Sequence, residues 1–273
     1  MSALDVFALP FLNGLLASLL LGGIGLLLFA RRDWLAALGI SQIAAAGALI
    51  GTASGIPALL AAPATALVAA DLKRRLQLGA LGYGVMILAG WSTVMLLAAN
   101  TPLGDALAHA LVDGQLYFTR VEHLAALLPL AVALPLLWKR LSRALLRARL
   151  FPEHEQANGQ PDRRLQALFE WLAALLLALG TLTLGVMASF ALVLLPAWTA
   201  SRLAPNLRLA VLLCLSLALG AYLIAFELAL RLDQPFGPVL VASALILCAL
   251  TRAGHTAAMK LTHERTGTPH DRA

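Results

Sequence analysis

The sequence predicts an all-α fold, a polytopic membrane bundle of about eight or nine spans. Composition is the first reason. Of 273 residues 60% are hydrophobic and only 12% are charged, with a mean hydropathy of +0.84. Soluble domains carry about 25% charged residues and 45–50% apolar ones, so a soluble chain this oily would have too little polar surface to cover its core. Length is the second reason: the apolar runs approach the roughly 20 residues that a helix needs to cross the hydrocarbon layer, and in lipid the backbone must satisfy its own hydrogen bonds. The third is placement, because the basic residues fall in short clusters between the runs.

Taken in order, the first span is Pro10–Ala30, ended by Arg31 and Arg32. Asp5 precedes it and no basic residue does, so it lacks the charged start of a cleavable signal peptide. Trp34–Gly51 is rich in Ala and Gly, and a Thr52–Gly55 turn leads to Ile56–Leu72, which closes on Lys73, Arg74 and Arg75. Leu78–Ala99 follows, then a polar connection from Asn100 to Glu122, then His123–Trp138. The 36 residues of Leu165–Ala200 are too many for one straight span and few for two, so Gly180, Gly185 or Pro196 is expected to break them into a full helix and a short or re-entrant one. Leu209–Leu230 and Gly237–Leu250 complete a transmembrane domain over 1–250. Thr251–Ala273 reads as a flexible polar tail. Cys214 and Cys248 lie inside apolar runs and read as small buried hydrophobes.

Between the fifth and sixth apolar runs stands a polar island, Lys139–Arg164, with seven basic residues. A central Lys or Arg costs roughly 2.5–3.5 kcal/mol in a membrane helix, so the island protrudes into water, and its charge places it in the cytoplasm. With the N-terminus outside and about nine spans, or eight plus a re-entrant segment, Arg31/Arg32, Lys73–Arg75, the island, Arg202/Arg208 and the tail come to lie inside. The net charge of +6 is thereby explained without nucleic acid. No Gly-x4-Gly-Lys loop occurs, so the chain is expected to be no enzyme and to bind no cofactor, with any ATP hydrolysed by a partner.

Five stretches resemble the permease subunits of metal-type ABC importers, the family that takes up zinc, manganese or iron. They are the opening helix from Phe11 to Arg32, Gly114–Leu124, Phe151-Pro152-Glu153 with Gly159 following, Leu194–Ala200 and Leu232–Pro238. The resemblance implies two permease copies, two cytoplasmic ATPase subunits and an extracytoplasmic substrate-binding protein, in a bacterial inner membrane. It also implies that Phe151, Pro152, Glu153 and Gly159 form the coupling segment that a soluble ATPase grips.

One departure concerns the cargo. The family carries an aspartate and, four residues later, a histidine in the helix after the paired arginines. Here those positions are Leu38 and Gln42, beside Ser41. Leucine cannot ligate a metal and glutamine offers a weak neutral oxygen. Ser41, Gln42 and Glu227 are the candidate pathway residues, the last because a carboxylate in an apolar run is a functional candidate or else a snorkelling one. Asp105 and His109, also four apart, read either as a relocated metal-ligand pair near the outer surface or as coincidence. A gradient-driven secondary transporter and a non-transporting scaffold are the competing classes. The absence of a clear internal repeat and of central charges weighs against the first of these.

Overall fold

The computed structural model describes residues 3–101, 114, 116–150 and 163–266. Regular structure in them is helical: α1 (Ala3–Arg31), α2 (Trp34–Ala53), α3 (Ala58–Arg75), α4 (Ala80–Asn100), a 3-10 turn at Leu116–Phe118, α5 (Val121–Leu150), α6 (Arg163–Leu184), α7 (Val186–Leu203), α8 (Leu207–Leu232) and α9 (Phe236–Thr266). Among the described residues, eight helices are long and apolar enough to cross a membrane. The exception is α3, whose last turn carries Lys73, Arg74 and Arg75. The polar stretch from Thr251, read as a tail, instead continues α9 as helix to Thr266.

The helices form two groups joined by α6. In one, α2 packs between α3 and α4; in the other, α1 is surrounded by α5, α7 and α8, while α9 covers α7 and α8. Exposed apolar stripes run along the outward faces, with Leu81, Val85 and Leu88 on α4 and Leu128, Val132 and Leu136 on α5. Hydrocarbon is the natural solvent for such stripes, so the polar-out pattern of a soluble bundle is absent.

Burial cannot hold helices together in lipid as it does in water, so backbone proximity does the work. At Gly25 a Cβ would stand 2.8 Å from the Cα of Val193 on α7. Gly25→Ala is therefore expected to destabilise the bundle by about 1–3 kcal/mol, the usual cost of overpacking. Gly84→Ala, with nothing within 4 Å, should instead be neutral or gain up to about 1 kcal/mol of helix propensity. Thermal unfolding of the two variants in detergent separates them.

The turn between α8 and α9 shows how local sequence ends an element. Asp233 adopts the left-handed conformation at φ 51° and caps α8, and the Gln234 N–H reaches back to the Ala229 carbonyl at 3.1 Å. This is a common way to satisfy the last carbonyls of a helix. Pro235 follows, and Phe236 is buried at the start of α9.

Contacts along α1 fix the direction of each neighbour. Arg31 meets Glu170 of α6, Gly180 lies against Leu21, and Gly25 lies against Val193 of α7. Ala197 and Ala200 of α7 then cluster with Leu26. Thus α6 climbs α1 from its Arg31 end, and α7 comes back down it. The arms of this hairpin are 22 and 18 residues, each long and apolar enough to cross a membrane, and its tip meets Gly114 at the far end of the bundle. The short or re-entrant second piece expected from the sequence is not found. The break expected in Leu165–Ala200 falls at Gly185, whose φ of 92° turns the chain, while Gly180 and Pro196 remain inside helices. Each of the nine described helices reverses the direction of the one before, so the start of α1 and the end of α9 lie at opposite ends of the bundle.

Candidate functional site

Two features at the ends of the bundle organise it. At the Arg31 end, four charged side chains from three helices and the α1–α2 turn converge. Lys73 Nζ on α3 sits 2.6 and 2.8 Å from the two carboxylate oxygens of Glu170 on α6, and 3.2 Å from Asp33 Oδ2. The Arg31 guanidinium pairs with both acids at 3.1 Å and lies over the Phe169 ring at 5.0 Å. Tyr83 of α4 donates its hydroxyl hydrogen to Asp33 Oδ1 at 3.1 Å. Two positive and two negative charges sum to zero, which is what burial demands, since an unpaired charge in a low-dielectric site carries several kcal/mol of desolvation cost. The Lys73 and Glu170 side chains are only 5% and 6% exposed.

Sequence reasoning did not find this cluster. Lys73 reads as part of a topology-setting triplet. The signal was present in Glu170 itself, an acid inside an apolar run.

At the opposite end, aromatic rings hold the start of α1. Phe11 packs against Tyr222 and Phe226 at 5.8 and 5.1 Å between centroids, and Tyr117 meets Phe226 and Phe236. The Tyr222 hydroxyl donates to the Phe11 carbonyl at 2.8 Å. Gly114 lies against the hairpin tip, where a Cβ would stand 2.7 Å from the Leu184 carbonyl carbon.

The candidate pathway residues lie apart. Ser41 is fully buried, and among the described residues its hydroxyl has no hydrogen-bond partner. Gln42 is buried where α2 approaches α4, with Gly90 against its backbone. Leu38 packs partly buried against the core. Glu227 is on α8 near the aromatic end, half exposed and paired with Arg231 one turn on, as a snorkelling carboxylate would be. The structure does not bring Glu227 to Ser41 and Gln42 within one protomer. Asp105, His109 and the coupling residues Phe151, Pro152, Glu153 and Gly159 lie outside the described residues. His123 has a local role: its Nδ1 accepts the Arg120 N–H at 3.2 Å at the start of α5. Among the described residues, no three His, Cys, Asp or Glu side chains group as a metal site would require.

Among solved structures, one described as PsaBC from Streptococcus pneumoniae in complex with Fab superposes with a TM-score of 0.77 at 16% identity, covering 90% of each chain. Another, described as an inward-facing conformation of a metal-chelate type ABC transporter, gives 0.68 at 17% identity and covers 93% of this chain and 88% of that one. These likenesses establish the fold. No curated protein sequence matches. The family described as the ABC 3 transport family matches residues 4–253, nearly the whole chain. This chain belongs to the ABC 3 transport family, as a membrane-spanning permease.

Proposed function

We propose that the chain is the permease subunit of an ATP-driven importer in the bacterial inner membrane, working as a homodimer with a cytoplasmic ATPase and an extracytoplasmic binding protein. The observation that carries this reading is the family match over residues 4–253. Its cargo is a divalent metal such as zinc or manganese, or a metal chelate. Leu38 and Gln42, where the family has aspartate and histidine, favour the chelate over a bare ion, and a structure similar in fold is described as metal-chelate type.

Orientation follows from charge. Arg31, Lys73, Arg74, Lys139, Arg164 and Arg202 stand at one end of the bundle, against Arg120 and Arg231 at the other. The positive-inside rule makes the first end cytoplasmic, with the N-terminus outside and the C-terminus inside. The coupling segment around Phe151–Gly159 then joins α5 to α6 on the ATPase side. Closure of the ATPase pulls on α6, and α6 is tied through Glu170 to α1 and α3. The α6–α7 hairpin is the element this motion would shift.

Co-purification tests the reading. A tagged permease should recover the ATPase, and deletion of Phe151–Gly159 should abolish that recovery while the permease still unfolds cooperatively. Recovery that survives the deletion would move the coupling site elsewhere.

A further inference from the structure

A cavity of about 680 Å³ opens at the Arg31 end between the α1–α2 turn and the α7–α8 turn. Its walls divide by height. Leu26 and Leu27 of α1 and Ala210 of α8 form an apolar inner part, while Arg32, Arg202 and Asn206 lie at the rim. Trp34, at the edge, is partly exposed, as aromatic side chains are where helices leave the hydrocarbon.

The charge of the rim is uncompensated. Among the described residues no carboxylate lines the cavity, and the nearest in sequence, Asp33, is engaged by Arg31, Lys73 and Tyr83. Arg32 and Arg202 are exposed, and among the described residues neither makes an ion pair. Arg32 is also held at φ 63°, a conformation that long side chains seldom adopt. The rim further includes the start of the 26-residue α8, whose first N–H groups favour an anion.

We propose that this cavity binds an anionic phospholipid of the cytoplasmic leaflet, its phosphate between Arg32 and Arg202 and the upper part of an acyl chain against Leu26 and Leu27. The amphipathic profile of the walls argues for a lipid over a free phosphate, which would leave the apolar part unused. The volume falls within the roughly 300–1,000 Å³ of sites that hold drug-sized ligands, enough for a headgroup and glycerol. Basic pockets between helices on this side of a membrane have the chemistry to hold such headgroups.

The test is native mass spectrometry of the purified permease, equilibrated with phosphatidylglycerol or phosphatidylethanolamine. Two arginines at about 1 kcal/mol each correspond to roughly a thirtyfold preference for the anionic lipid. Arg32→Asn with Arg202→Gln should bring the two lipids to near parity; asparagine is chosen because it tolerates the left-handed backbone. Arg208→Gln, which removes the same charge outside the cavity, should leave the preference intact. If the double variant unfolds, Ala204→Trp, which fills the cavity with both arginines present, should displace the lipid. Parity in the wild type, a preference that survives the double variant and the filled cavity, or loss of the lipid to competing inorganic phosphate would each overturn the assignment.

Discussion

Glu170→Ala is expected to destabilise the permease by about 3–5 kcal/mol, the range for removing one partner of a buried ion pair, and to abolish transport. The loss exceeds that of a surface bridge because of what stays behind. Lys73 would keep a single partner, Asp33 at 3.2 Å, and would remain 5% exposed with an ammonium group that needs three acceptors. Arg31 would lose one of its two carboxylates while its Nη1 already lacks a partner. The compensating change makes the prediction sharp. Lys73→Met combined with Glu170→Leu removes one charge of each sign and leaves Arg31 and Asp33 paired at 3.1 Å. Apolar replacements of buried pairs are often neutral or stabilising, so the double variant should regain most of the lost stability. Thermal melts in detergent read both. If the single variant melts like the wild type, the cluster is not buried as described.

Gly185→Val should have the next largest effect. At φ 92° and ψ 163° the residue occupies a region essentially reserved for glycine, and forcing a side chain there costs on the order of 1–3 kcal/mol. A β-branched side chain also meets the Gly114 segment, which already lies against the Leu184 carbonyl and the Gly185 nitrogen. Relief by straightening would join α6 to α7 into one helix and tear α7 from α1, where Val193 touches Gly25. Transport should therefore fall by more than the stability loss alone explains. Gly180→Ala, inside α6 where the neighbouring contacts are mainly side-chain ends of Leu21 and Ser189, is the milder comparison.

The architecture was legible because hydrocarbon simplifies the problem. Long apolar runs must be helices, and clusters such as Arg31/Arg32 and Lys73–Arg75 mark where they end. The turn at Asp233 and the Glu227–Arg231 pair depend on residues within one or two turns, and local chemistry of that kind can be read directly. What escaped depends on distant partners. Length showed that Leu165–Ala200 must break, but Gly180, Gly185 and Pro196 looked equivalent until the Gly114 segment met the tip at Gly185. Lys73 and Glu170 are 97 residues apart, so nothing near either one marks their pairing. Ser41 and Gln42 were singled out by their motif positions and Glu227 as an acid in an apolar run, and the bundle places the first two on α2 and the third on α8, with different neighbours.

The central claim is that one end of this bundle, with the charged cluster and the coupling segment, faces the cytoplasmic ATPase. Site-directed cysteine labelling tests it most directly. The native Cys214 and Cys248 are both buried, which gives a quiet background for an impermeant maleimide. Asn158→Cys should stay unlabelled in intact spheroplasts and react in inverted vesicles, while Ser54→Cys, in the exposed turn between α2 and α3, should do the reverse. Labelling of Asn158→Cys from outside intact spheroplasts would contradict the account.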